Sequence, residues 1–309
     1  MKYLFGPVKS RRLGISLGVD LVPHKTCTLN CVYCECGETT DLTTEIKEYV
    51  PTDEVIDELK HYLDEKPDLD ILTFSGAGEP TLHKDLGKII DFIKDNYNYR
   101  VSVLTNSTLL WKEEVREALA RADLVIPSID TVSREGFDKL LRCHKDITPE
   151  LLVEGLQFFS KEFNGEIILE VFVAEGVNDS DEEIDGIIKA CRDLSFSGLQ
   201  INSLDRPGAE SWVKPLTEEK LRYVYLRFQE LGAQIIGMKR VNGFVTSENF
   251  VESVKNLIVR RPATVDDLAA VFGLSAKEIV NTLDELKSLY DVEEYSGSRG
   301  IFYRIKPEE

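Results

Sequence analysis

Three cysteines fall within eight residues, Cys27-Thr28-Leu29-Asn30-Cys31-Val32-Tyr33-Cys34, with gaps of three and two, and Cys36 follows two positions on. Three thiolates on one loop can hold three corners of a four-iron cluster and leave the fourth iron open to another ligand. A structural zinc site on Cys27, Cys31, Cys34 and Cys36 is the competing reading. Zinc ordinarily takes paired Cys-x2-4-Cys knuckles separated by a longer loop, not four thiols in ten residues. Cys143 and Cys191 stand alone and read as buried apolar thiols. His24, His61, His83 and His144 have no metal-ligand spacing, and His83 is the nearest to the other candidate residues.

Those thiols need a frame. Six strand-like runs, near residues 13–22, 70–74, 99–104, 124–129, 167–173 and 199–202, are each followed by a loop or helical stretch. The helical patterns lie at 52–63, 86–96, 112–121, 134–142, 150–163, 181–193 and 218–231, with Thr52 as N-cap of the first and acids in its first turn. Strand–helix alternation predicts parallel strands joined by right-handed crossovers. The unusual residues then collect at strand C-termini: the cysteines, the turn Gly76-Ala77-Gly78-Glu79-Pro80-Thr81, Asn106, Ser128, Asp130, Asn178 and Asn202. In parallel α/β architectures that edge is where ligands bind. Taken singly, Ser128, Asp130 and Asn178 are equally well explained by turn chemistry and capping.

Composition narrows the class. Of 309 residues, 42% are hydrophobic and 30% charged, enough for one large α/β domain and a small appendage. No apolar run approaches the roughly 18 residues a membrane helix needs. No export signal is legible at the N-terminus, so a cytoplasmic protein is expected, and clustered cysteines there point to metal rather than disulfides. With 37 basic against 55 acidic residues the net charge is −18, which opposes an extended nucleic-acid surface. Residues 1–40 are the exception, with five basic residues, including Arg11 and Arg12, against three acidic ones. That neighbourhood suits an anionic ligand or an acidic redox partner, or simply balances thiolate charge.

The Cys-x3-Cys-x2-Cys loop resembles the signature of the radical S-adenosylmethionine (SAM) superfamily. The resemblance implies a [4Fe-4S] cluster on Cys27, Cys31 and Cys34, with the methionyl amino and carboxylate groups of SAM on the fourth iron. It implies reductive cleavage of SAM to a 5′-deoxyadenosyl radical that abstracts a substrate hydrogen, fed by an electron donor such as ferredoxin or flavodoxin. Tyr33 matches the aromatic position against the SAM adenine. Gly76, Gly78 and Glu79 match the turn that holds the methionyl ammonium, Ser128 and Asp130 the ribose position, and Asn178 a position near adenine or ribose. The implied fold is an α/β partial (β/α)6 barrel of TIM type over residues 1–232. No catalytic side chain, substrate or choice between consumed and recycled SAM is implied. The run from Phe5 through Gly37 is similar to a bacterial and archaeal group classed with the enzymes that build the wyosine base on tRNA. Those enzymes carry a second cluster on cysteines upstream of the triad, and here no cysteine precedes Cys27.

After a linker at 233–246 the pattern changes. Three helical stretches at 247–261, 264–272 and 276–290, then a hairpin across 292–305 with its turn at 296–300, follow the order of a winged-helix domain (247–309). Its third helix has net charge −1, and basic residues gather only in the hairpin, at Arg299, Arg304 and Lys306. Docking of a protein or peptide is therefore expected ahead of nucleic-acid binding. The alternative to a radical SAM enzyme is a non-catalytic winged-helix regulator, or nucleic-acid-binding protein, on a radical SAM-like scaffold.

Overall fold

The computed structural model describes residues 1–10, 12–236, 250–272, 274–297 and 299–305. Arg11, Lys306, Ser298 and most of the 233–246 stretch, which enter the reading above, lie outside these residues.

In chain order the larger unit runs β1 (Leu4–Ser10), β2 (Gly14–Val19), β3 (Thr26–Cys27), β4 (Asp41–Leu42), α1 (Thr52–Asp64), β5 (Ile71–Phe74), α2 (Leu86–Asn96), β6 (Arg100–Thr105), α3 (Glu113–Leu119) and β7 (Leu124–Pro127). It continues with α4 (Arg134–Gly136), α5 (Pro149–Glu162), β8 (Glu166–Phe172), α6 (Asp181–Arg192), β9 (Gly198–Asn202), α7 (Glu218–Phe228) and β10 (Ala233–Ile235). Eight strands form one sheet in the order β1-β2-β5-β6-β7-β8-β9-β10. Every neighbouring pair from β2 to β10 is parallel, and β1 alone is antiparallel. Each expected strand is found. Two more were not expected: β1, broken by Gly6, Pro7 and a register shift between Phe5 and Val8, and three-residue β10, which lies beyond position 232. The chain from 13 to 22 is one strand only to Val19, since β2 then leads into the cysteine loop. At Thr52 the hydroxyl bonds Asp85 at 2.7 Å instead of capping; Pro51 occupies the cap and Thr52 is already helical.

Alternation along the strands separates two faces. Leu72, Phe74, Val101, Val103 and Val125 pack with the helices in the main core. Their helix partners recur at turn spacing, as in Val55, Leu59 and Leu63 of α1 or Ile184, Ile187, Ile188 and Cys191 of α6. The opposite face carries a separate apolar group, Ile71, Leu124 and Ile126 with Leu13, Leu104 and Ile168. Beside it lies a polar layer. Ser16 and Ser102 bond Thr73 at 2.7 and 2.9 Å, and Arg12 pairs with Glu170 and reaches Gln200 at 3.2 Å. The sheet thus has helices on one face and a part-polar other face.

The C-terminal unit comprises α8 (Phe250–Arg260), β11 (Ala263–Thr264), α9 (Val265–Phe272), α10 (Ala276–Leu289), β12 (Val292–Gly297) and β13 (Gly300–Ile305), with a three-stranded sheet in the order β11-β13-β12. Its helices start where chemistry says they should. Thr264 and Asp267 exchange side-chain-to-backbone bonds at 3.1 and 3.2 Å, and Ser275 with Glu278 forms a capping box. Its core, built on residues such as Val254, Ile258, Leu268 and Leu283, also takes in Val8 of β1. Among the described residues no helix is long and apolar enough to cross a membrane.

Candidate functional site

The cysteine loop hangs from an irregular turn. After α4 the chain makes a π-helical turn over Phe137–Leu141 and stops at Arg142 in the left-handed region (φ 46°). The carbonyls that such a turn leaves without partners accept from the loop: Asn30 N–H donates to Leu141 and Val32 N–H to Leu140, both at 3.0 Å. On the other side Thr26 and Cys27 form β3, and the Thr26 carbonyl accepts from Glu79 N–H at 3.1 Å while Lys25 N–H donates to the Ala77 carbonyl at 3.0 Å. The cysteines and the Gly-Glu turn, about fifty residues apart in sequence, are thus one hydrogen-bonded assembly at the strand C-termini.

Four partly exposed thiols, those of Cys27, Cys31, Cys34 and Cys36, sit there. Two donors point at them, Lys25, which sequence reasoning did not select, and Asn106, which it placed at the same strand edge without a role. Lys25 Nζ donates to Cys34 Sγ at 3.0 Å, and Asn106 Nδ2 to Cys27 Sγ at 3.4 Å. Burial works against the Lys25 ammonium, but the thiols of Cys34 and Cys27 outweigh it and hold its pKa above the ordinary range. Cys34 is pulled down to about 5 by a hydrogen bond from the Cys36 thiol and then by Lys25, against burial, whereas burial pushes Cys27 up to about 11. N–H donors aimed at thiolate sulfur are what an iron–sulfur ligand set uses to tune its cluster. Among the described residues no three His, Cys, Asp or Glu side chains converge on one metal ion. A four-iron cube does not require that, since each thiolate takes its own corner, so the donor set fits a cluster. Cys36 lies between the loop and the turn, its Sγ 3.7 Å from the Gly76 carbonyl. The histidine brought to this loop is His24; His83, the expected one, is buried and bonded to the Val50 carbonyl at 2.9 Å. Cys191 is buried in the core and Cys143 packs against it.

The turn residues are fixed by packing. A Cβ on Gly76 would lie 2.2 Å from the Asp20 carboxylate, and one on Gly78 would lie 2.1 Å from the Thr26 carbonyl oxygen. Glycine at 78 therefore lets the turn approach the strand that carries Cys27. Gly78→Ala is expected to lower stability by about 1–3 kcal/mol through forced backbone displacement and to reduce iron retention, read by thermal melts and iron analysis of the same preparation.

Glu79 is 2% exposed, and its two oxygens accept from Thr81 N–H (3.1 Å), Thr81 Oγ1 (2.7 Å), Thr105 Oγ1 (2.7 Å) and Asn106 N–H (2.8 Å). Its carboxylate ties the ends of β5 and β6 together, with three of the four donors on Oε1 and one on Oε2. Asn178 is fully buried; its oxygen accepts from Ala174 N–H and its amide donates to the Asp130 and Phe172 carbonyls. Every polar atom of that side chain takes part in bracing the turn after β8. Asp130, 3% exposed, accepts from Phe172 N–H at 2.7 Å and from the Tyr33 hydroxyl. The Tyr33 ring stacks on Phe172 at 3.8 Å and 13°. Ser128 is half-buried where the β7–β8 ladder, interrupted by Pro127 with no N–H to give, resumes opposite Glu170. The structure thus brings Tyr33, Asp130 and Asn178 into one network beside the cysteines, with Phe172 as a member that had no sequence signal.

Burial raises the Asp130 carboxyl to about 7, with the bonds from Tyr33 and Phe172 opposing it. A carboxyl raised in the folded state contributes stability that is fully present below its unfolded value and is lost as pH rises through the folded one. The wild-type chain is therefore expected to lose up to about 4 kcal/mol between pH 4 and 7 from this group. Asp130→Asn keeps one acceptor for Phe172 and should flatten that part of the stability–pH profile, measured by denaturant melts from pH 5 to 8.

Behind the turn, Asp20 and Ala77 also line a cavity of about 810 Å³ shared with Lys255 and Arg260 of the C-terminal unit. Residues 21–188, more than half of the chain and the stretch holding the cysteines and the Gly-Glu turn, match the Radical SAM superfamily. The chain belongs to that superfamily, and with membership come its two cofactors, S-adenosylmethionine and a [4Fe-4S] cluster. Among relatives, a protein of Brachyspira hyodysenteriae named GTPase Obg is 37% identical over 92% of this chain, which spans only 42% of that protein's length. The UPF0026 protein of Methanocaldococcus jannaschii is 29% identical over 98% of this chain and 96% of its own. Among solved structures, a radical SAM methyltransferase from Sphaerobacter thermophilus superimposes with a TM-score of 0.56 at 16% identity, covering 71% of this chain and 65% of that one. That likeness establishes the fold, a radical SAM barrel of TIM-like type.

Proposed function

We propose that this chain is a radical SAM enzyme whose cluster is held by Cys27, Cys31 and Cys34, with SAM received by the backbone of Gly76–Glu79, the Tyr33 ring and Ser128. The observation that carries this reading is the direct bonding of the cysteine strand to the Gly-Glu turn, through Glu79 N–H on Thr26 and Lys25 N–H on Ala77. When bound, the two cofactors supply reductive cleavage of SAM and a 5′-deoxyadenosyl radical able to take a hydrogen from substrate. The chain's own residues hold and orient. Lys25 and Asn106 donate to ligand sulfurs, Glu79 and Asn178 fix the turns, and Asp130 holds the Tyr33 ring in place. The face lined by Ser16, Thr73, Ser102, Arg12 and Glu170 is where a polar substrate would lie, away from bulk water. A one-electron donor of ferredoxin or flavodoxin type completes the scheme.

The division into a barrel over 1–232, a linker and a winged-helix unit over 247–309 belongs to the same reading, as does a protein or peptide partner for the latter. Two basic hairpin residues are already engaged: Arg299 is paired with Asp267 and Arg304 bonds the Cys36 carbonyl. That use of charge supports docking in place of phosphate binding. Anaerobic reconstitution should give about four irons per chain and dithionite-dependent 5′-deoxyadenosine from SAM; zinc in place of iron, or no SAM cleavage by iron-loaded protein, would sink the proposal.

A further inference from the structure

The C-terminal unit reaches each wall of the candidate site through an arginine, half-buried at Arg260 and Arg304 and exposed at Arg299. From β13, Arg304 Nη2 donates to the Cys36 carbonyl at 2.6 Å and to His24 Nε2 at 3.2 Å. Its guanidinium fills the space over Gly37, whose φ is +91° and whose Cβ, if it had one, would lie 2.8 Å from Nη1. From the hairpin turn, Arg299 grips Asp267 with both Nη atoms, at 2.6 and 3.0 Å, and Asp205 through Nε at 2.9 Å. Asp267 also faces Arg206, which holds Glu35 of the cysteine loop at 2.9 Å. From α8, Arg260 lies 3.5 Å from Asp20, and Asp20 accepts from Ala77 N–H at 3.4 Å in the Gly-Glu turn.

Buried ion pairs add little net stability, because desolvation offsets the attraction. Here Arg206, Arg260 and Arg304 each bury an Nε without a hydrogen-bond partner among the described residues. Such an arrangement is a poor way to glue two units together and an effective way to fix one carbonyl in one place. The carbonyl that Arg304 fixes belongs to the residue two beyond Cys34, in the Cys34–Gly37 turn closed by Gly37 N–H on the Cys34 carbonyl at 3.0 Å.

We infer that Arg304 is a positioning residue for the iron–sulfur cluster, clamping the Cys34–Gly37 turn so that the C-terminal unit is a structural part of the cofactor site. The inference rests on the cluster assignment proposed above. Its guanidinium serves twice: one nitrogen, Nη2, held in the guanidinium plane, sets the Cys36 carbonyl and His24 together, and the fixed positive charge beside the loop favours the reduced, more negative cluster.

The test uses the full chain, reconstituted anaerobically, as wild type, Arg304→Met and Arg304→Lys. Wild-type iron content tests the cluster assignment alone; failure there removes the assignment. Given an iron-loaded wild type, Arg304→Met should shift the cluster potential to more negative values, change the electron paramagnetic resonance line shape of the reduced cluster, and lose iron in air several-fold faster. Arg304→Lys keeps the charge and loses the planar, rigidly held Nη2 that bonds both partners, so it should keep the wild-type potential yet lose iron faster than wild type. Folded variants with wild-type potential, spectrum and iron retention overturn the inference. If Arg304→Met fails to fold, the lysine variant decides: wild-type iron retention there overturns it equally.

Discussion

Cys31→Ala protein is expected to emerge from reconstitution with little iron and to form no 5′-deoxyadenosine above the background of protein-free cluster. Each thiolate of a three-cysteine set holds one iron corner, and a cube held at two corners is exposed to solvent and lost. The informative partner is Cys36→Ser. Cys36 lies at the same loop, hydrogen-bonded to Cys34 and 3.7 Å from the Gly76 carbonyl, so a four-thiol zinc site would use it. A three-thiol cluster would not. Cys36→Ser should retain about four irons per chain while Cys31→Ala loses them, by metal analysis and visible absorption. Equal loss of iron in both variants would make Cys36 a ligand and overturn the three-thiol assignment; zinc in the wild type, lost equally from both, would return the zinc reading.

Glu79→Ala should produce the largest effect of any substitution outside the cysteines. Four donors converge on that carboxylate, two from backbone N–H groups and two from threonine hydroxyls, in a place that water does not reach. Removing it strands them, and buried donors without acceptors cost about 1–3 kcal/mol each before local relaxation. A net loss of about 3–5 kcal/mol is expected, with SAM affinity falling because the turn holding Thr26 and Ala77 loosens. Glu79→Gln should recover only part of it, since its amide nitrogen brings a donor to a place that already has donors. Chemical denaturation and SAM titration of the two variants check both parts. If Glu79 held only the methionyl ammonium, stability without SAM would be unchanged.

The contrast between these two sites marks what could be read from residue order. Cys27, Cys31 and Cys34 are close in sequence, so their chemistry is local and legible. The strands were legible for the same reason: apolar runs such as 71–74 and 124–127 bury both ends of their side-chain alternation, and Gly-rich or Asn-containing turns stop them. Glu79 was placed correctly at a strand end, but its partners Thr105 and Asn106 arrive from the next strand, and a carboxylate without donors and one that already holds four look alike in a sequence. Asn178 was open for a related reason, since a turn-bracing amide and a ligand-binding amide occupy the same position. Strand β1 was hidden by Gly6 and Pro7, and β10 by its length. Arg304 was out of reach altogether: 268 residues separate it from the carbonyl it bonds, and nothing in the hairpin's composition distinguishes a clamp from a surface charge.

Strand β1 has one side chain, Val8, buried in the core of the C-terminal unit, while its backbone pairs with β2 at the edge of the main sheet. A ribosome delivers Val8 some 240 residues before the helix α8 that covers it, and domains generally fold as units in the order they emerge. Strand β1 therefore cannot finish packing until the C-terminal unit has been made. An edge strand left waiting, with one apolar residue uncovered, is a ready template for pairing with another chain.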